Sequence, residues 1–132
     1  MDETMTDMLD LEWFLRHRHA EISAFVLRME PTETHPQPGT PEFADVLREH
    51  FVYWLKLEVE GKLLGAGPVA DGTGLAVLLA SDLAEAERIV GDEPFTRRGF
   101  RRTEIQAWSL NEGLAVAVAR NAQSKDDPKA AQ

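Results

Sequence analysis

The stretch Thr40–Pro68, TPEFADVLREHFVYWLKLEVEGKLLGAGP, constrains this chain more than any other, because its punctuation admits one local reading. Thr40 offers a side-chain oxygen to the unpaired amides of a first helical turn. Pro41 suits the position after it, where a missing N–H is no loss, and Glu42 and Asp45 complement the positive end of the helix dipole. Phe43, Val46, Leu47, His50, Phe51, Trp54 and Leu57 then recur at the spacing of a single helical face. Gly61 supplies the left-handed residue that ends the helix. Residues 62–68 follow as a short apolar strand in which Gly65 and Gly67 permit close backbone approach. One residue breaks the pattern: His50 stands where the stripe calls for a hydrophobe.

The rest of the chain arranges itself around that unit. Residues 21–30, EISAFVLRME, read as a first strand closed by Pro31, and 32–39, TETHPQPG, as a loop whose His35 is an ordinary exposed histidine. Asp71, Gly72 and Gly74 make a turn, and 75–80, LAVLLA, is a continuously apolar strand expected to bury both faces. Ser81 or Asp82 caps a second helix, with Glu85 placed to complete a capping box on Asp82; its core face is Leu83, Ala86, Ile89 and Val90, and Gly91 is expected to end it. Residues 103–110, TEIQAWSL, form a last strand. This places a domain over 21–111, an N-terminal extension over 1–20 with an Arg16–His19 connector, and a partly disordered tail over 112–132 that starts as a frayed helix.

The order strand, helix, strand, strand, helix, strand predicts an α+β, ferredoxin-like βαββαβ fold, with both helices on one face of a four-stranded antiparallel sheet. The other face would then expose the strand at 75–80. A second copy packed sheet to sheet is the simplest cover, so a homodimer is expected, and a chain that sediments as a monomer at micromolar concentration would contradict it.

Composition narrows the chemistry. Formal net charge is −9, from 23 acidic against 14 basic residues, which works against binding nucleic acid or an anionic membrane. No run approaches the roughly 18 apolar residues of a membrane span, so a cytoplasmic protein is the default expectation. With no cysteine, thiolate nucleophiles and cysteine-ligated metals drop out. No His-x-x-x-His or comparable ligand spacing appears, and no metal site is assigned. The basic cluster Arg97, Arg98, Arg101 and Arg102 is expected to pair with carboxylates of a partner subunit rather than to bind an acidic substrate.

Several of these pieces together resemble the YciI-like (YCII-related) family. They are the inward His50, GKLLGAGP at 61–68, the helix opening SDLAEAERIV, and an acid before Pro94-Phe95 with Gly99 closing the motif. The resemblance runs from about residue 21 to 111. It implies a ferredoxin-like fold paired into a dimeric α/β barrel, with an inward histidine and an aspartate as an acid–base pair in a cleft. The aspartate's place is taken here by Glu93, with Asp92 just before it, and the sequence leaves open which of the two faces His50. Asp71 is a third candidate.

Taken alone, a histidine on an apolar stripe reads more readily as a core or interface residue; the resemblance makes His50 a site residue that gives or takes a proton. Gly67 and Pro68 are candidate ligand contacts through backbone approach, as are Asp71, Phe95 and Trp54 around the same cleft, although aromatic residues at core spacing, Phe51 and Trp108 among them, also serve simply as packing. The resemblance implies lyase, dehalogenase or isomerase chemistry on a small ring-containing organic molecule, with no organic cofactor. The rival reading is a non-catalytic dimer that binds a small ligand or serves another protein.

Overall fold

A computed structural model describes residues 10–12 and 22–119. The elements are β1 (Ile22–Pro31), α1 (Pro41–Val59), β2 (Leu63–Pro68), β3 (Gly74–Leu78), α2 (Leu83–Asp92), α3 (Pro94–Arg97) and β4 (Arg101–Leu110). The chain divides into two compact units, one spanning Ser23–Ser109 and the other formed by the two termini. In the terminal unit residues 114–119 are helical, with Val116 and Ala119 buried. The expectations for the extension outside 10–12, and for the tail beyond 119, lie outside the described residues.

Within the larger unit the strands run in the order β2-β3-β1-β4, the ferredoxin-like antiparallel arrangement. β3 is central to it: Phe25, Leu27 and Met29 of β1 face Leu78, Ala76 and Gly74, while β2 pairs along its other side with a bulge between Leu63 and Gly65. Side chains alternate across a strand, so this register puts Phe25, Leu27, Met29, Ala76 and Leu78 on one face. Trp54 and Leu57 of α1 and Ala86, Ile89 and Val90 of α2 join that face in one core cluster.

Thr40 opens α1 as expected, accepting the Phe43 amide at 3.2 Å. Gly61, at φ +76°, takes the left-handed conformation just past the end of the helix, after the Glu60 cap. The stripe of α1 splits in two. Val46, Trp54 and Leu57 are buried, whereas Phe51 and Leu55 are more than half exposed. A helix stripe wider than the sheet can cover leaves its margin open, and here that margin carries His50.

Two expectations are corrected. The strand read over 75–80 ends at Leu78 and does not bury both faces, because Leu75 alternates with buried Ala76 and remains 42% exposed. Gly91 does not end α2, which continues to Asp92 with Glu93 as its cap. The residues after it form a further short helix, α3, which the sequence reading did not assign.

Tyr53 ties the two long helices together by donating from its hydroxyl to the Ile89 carbonyl at 2.6 Å. Burial, then the nearby charges of Asp92 and Glu93, push this hydroxyl from 10.0 up to about 12. A raised tyrosine stabilises the fold below its unfolded value and loses that contribution as pH climbs through the folded one. Tyr53 is the chain's single tyrosine, so absorbance at the phenolate band reads it directly. The expected midpoint lies near 12 in the folded protein; a midpoint at the ordinary value of about 10 would contradict the packing described.

Candidate functional site

The short helix α3 organises the site. Pro94 occupies its first position and Glu93 its cap, so the Glu93 carboxylate receives the Thr96 amide at 2.9 Å and the Thr96 hydroxyl at 3.0 Å, both on Oε2. Its other oxygen, Oε1, lies 2.5 Å from Nδ1 of His50 across on α1. Glu93 is only 1% exposed. Burial alone would raise its pKa, but the hydrogen bonds from His50 and from Thr96, together with the His50 charge, outweigh burial and hold it below 4.5. The buried carboxyl is therefore a carboxylate.

That charge fixes the histidine. Nδ1 has one in-plane position, holding either a proton or a lone pair. The Trp54 indole N–H also approaches Nδ1, at 2.9 Å. Accepting from Trp54 would set the nitrogen lone pair against a carboxylate oxygen, which is repulsive, whereas a proton on Nδ1 makes a short charge-assisted bond to Glu93. The carboxylate prevails, and the indole sits beside the pair. Nε2 is then left with its lone pair, and no hydrogen-bond partner reaches it among the described residues.

His50 lines a cleft of about 890 Å3, walled by α1 on one side and by β2 and the turn into β3 on the other. Its lining is largely apolar, with Phe43, Leu47, Phe51, Trp54 and Leu55 from the helix and Leu63–Pro68 from the strand. Gly67, Pro68 and Trp54, expected as ligand contacts, are all in this wall. Phe95 is not: fully buried, it lies behind the site with its ring 5.1 Å from that of His50, edge to face.

Asp92 is exposed at the end of α2, one residue from the acid that holds His50, and Glu93 alone of the two makes that contact. Asp71 accepts from the Thr73 amide and hydroxyl and pairs with Arg28 at 3.6 Å. It shapes the turn rather than lining the cleft. Trp108 is 46% exposed on β4 and outside the lining as well.

Sequence reasoning missed two residues here. Thr32 and Thr34 both donate to the Gly99 carbonyl, at 2.6 and 3.1 Å, which pins the loop after β1 to the turn after α3. This sets His35 flat on Phe95, with ring centroids 5.2 Å apart. Arg101 lies over the same phenyl ring, 3.6 Å from its centre, and its Nε–H donates to Nε2 of His35 at 3.2 Å. Both residues line the cleft. Of the basic cluster, Arg98 pairs with Glu49 at 2.7 Å and Arg102 with Glu30 at 3.5 Å within the chain. Nothing local marks His35, and Arg101 was legible only as one of four arginines. Among the described residues no three His, Asp or Glu side chains converge as a metal ion requires, and no helix is long and apolar enough to cross a membrane.

Residues 24–109 match the YCII-related domain. Among solved structures, 5-chloro-2-hydroxyhydroquinone dehydrochlorinase from Burkholderia phenoliruptrix, in complex with 2,5-dihydroxybenzoquinone, is similar at 21% identity and a TM-score of 0.49, over 64% of this chain and 92% of that one. No curated protein sequence matches the chain significantly.

Glu93 contributes stability in a definite pH window. Its folded pKa is depressed, so the contribution is complete above the unfolded value of 4.5 and is lost as pH falls through the lower folded value. Glu93→Gln is expected to cost about 1–3 kcal/mol at neutral pH and to flatten the acid limb of stability measured by urea unfolding. Equal loss of stability in both proteins on acidification would show that the carboxylate is not held as described.

Proposed function

Since the chain belongs to the YCII-related family, we propose that His50 and Glu93 are an acid–base pair acting on a small, ring-containing organic molecule bound in the apolar cleft. The reaction is of lyase, dehalogenase or isomerase type and uses no organic cofactor. The observation that carries this reading is the buried Glu93 carboxylate on Nδ1 of a histidine that lines the cleft.

Each residue has a role set by its surroundings. With Nδ1 protonated toward Glu93, Nε2 presents a lone pair and acts as the general base. It takes a proton from a carbon or hydroxyl of the substrate, and the electron pair left behind moves into the ring system. In an elimination the leaving group departs with its own pair; in an isomerisation the imidazolium returns the proton to another carbon. Glu93 stabilises the imidazolium between these steps. Because Thr96 keeps both its donors on the same carboxylate, Glu93 holds its charge and position while the histidine cycles. The apolar wall supplies a low dielectric in which that pairing is stronger than in water.

A homodimer belongs to the same reading. Leu75 and half-buried Val77 lie on the sheet face away from the helices, and a second sheet packed there would cover them. The rival, a binding protein that performs no reaction, differs in its response to mutation. In a turnover screen against hydroxyaromatic and other ring-containing compounds, His50→Ala is expected to lower the rate on any substrate about 10²-fold or more, the usual contribution of a general base. Turnover that survives the substitution would remove His50 from the chemistry. No turnover in either protein, with His50→Ala changing affinity alone, would favour the binding role.

A further inference from the structure

Among the described residues, Arg101 is the one arginine or lysine that lines the cleft. Three contacts define it: Phe95 beneath the guanidinium, His35 on Nε, and the cleft itself. No carboxylate lies within ion-pair distance among the described residues, in contrast with Arg98 and Arg102, which each have one. The hydrogen bond from Nε leaves both terminal nitrogens without a hydrogen-bond partner among the described residues. No buried side-chain nitrogen or oxygen lacks a partner among the described residues, so these nitrogens are open to solvent, on a residue that lines the cleft.

The environment of His35 explains why the guanidinium stays there. Nδ1 of His35 meets the Pro36 carbonyl at 2.9 Å, an oxygen that only accepts, so the proton is on Nδ1. Nε2 is then free to accept from Arg101. Stacked on Phe95 and anchored through the loop's threonines, the imidazole is a fixed acceptor that orients the guanidinium plane. Burial draws the Arg101 pKa down and the Glu93 charge offsets this, but a guanidinium so placed remains a cation. A half-buried, oriented cation with two free donor groups in a largely apolar cleft is built to take an oxyanion in bidentate fashion.

We propose that Arg101, positioned by His35, is the anion-recognising residue of this cleft. Its ligand is a flat-ringed acid whose carboxylate or phenolate oxygen meets the guanidinium while the ring lies against the apolar wall near Phe51 and Trp54. The proposal rests on the reading of the cleft as the His50 site and adds the substrate class to it. Arg101 also gives an electron pair released into the ring a place to end, since charge arriving at a ring oxygen is stabilised by the guanidinium beside it.

The test compares matched probes: benzoate beside benzamide, and 4-nitrophenolate beside 4-nitroanisole, titrated while the His50 ring resonances are followed by NMR. The wild type is expected to bind each anion about tenfold or more tightly than its neutral counterpart, as a charge-assisted pair requires. Arg101→Met should bring that ratio near one and Arg101→Lys leave it intermediate. His35→Phe, which keeps the stack on Phe95 and removes the acceptor, should lower the ratio without abolishing binding. A ratio near one in the wild type, or a preference that survives Arg101→Met, overturns the proposal. If Arg101→Met does not fold, the wild-type ratio and the lysine variant decide. Probes that move the His50 resonances with no preference for charge sink the Arg101 role alone; if no probe moves them, the ring-binding reading of the cleft falls with it.

Discussion

A carboxylate that is 1% exposed cannot exist in a protein interior without partners, and the arrangement of this domain follows from how Glu93 finds them. Desolvation by itself would neutralise the group. Two donors from Thr96 and one from His50 reverse that, so a single side chain caps α3, joins it to α1 and fixes the proton on the imidazole. Removing any one partner leaves a buried charge short of a bond, a larger penalty than the net value of the bond itself. Fold and chemistry thus share one group, and a change that weakens the site also loosens the helix junction.

The cleft is the counterpart of that junction. The core cluster uses one side of the α1 stripe, and its margin, with Phe51 and Leu55, is left to face β2 across the open space. β2 is an edge strand, short, bulged and ended by Pro68, with glycine at two of its six positions. Such a strand offers little side-chain bulk, so the cleft keeps its width. It holds the base and a cation with no ion pair among the described residues; the remaining wall is mostly apolar. A site with this layout orients a flat molecule by its polar edge and excludes water from the rest.

What could be read in the sequence was what local rules determine. Thr40-Pro41, the hydrophobic spacing and Gly61 gave α1 its limits, and the order of elements led to the ferredoxin-like sheet. The same rules were available at Glu93-Pro94, an acid followed by proline at a first helical position, which is the signature used at Thr40-Pro41. Read that way, α3 was foreseeable, and with it the choice of Glu93 over Asp92, since a capping residue turns its side chain back toward its own helix. Gly91 misled because glycine is tolerated inside a helix whose next residues keep the hydrogen bonds. The strand at 75–80 misled because apolar continuity describes composition and not cover: Leu75 is hydrophobic and still open. His35 and Arg101 could not be placed together at all. Their meeting depends on the loop after β1 being pinned to Gly99, a contact 67 residues apart in sequence, and no local pattern encodes it.

The central claim is that the Glu93 carboxylate keeps the proton of neutral His50 on Nδ1 and leaves Nε2 as the reactive lone pair. Long-range proton–nitrogen NMR correlation of a selectively labelled histidine ring reads this tautomer directly. The expected spectrum, recorded where the ring is neutral, has a protonated Nδ1 and an unprotonated Nε2, and Glu93→Gln should shift the ring toward a mixture of tautomers. A wild-type ring protonated at Nε2 would contradict the account, because the nitrogen not held by Glu93 would then have no lone pair to offer.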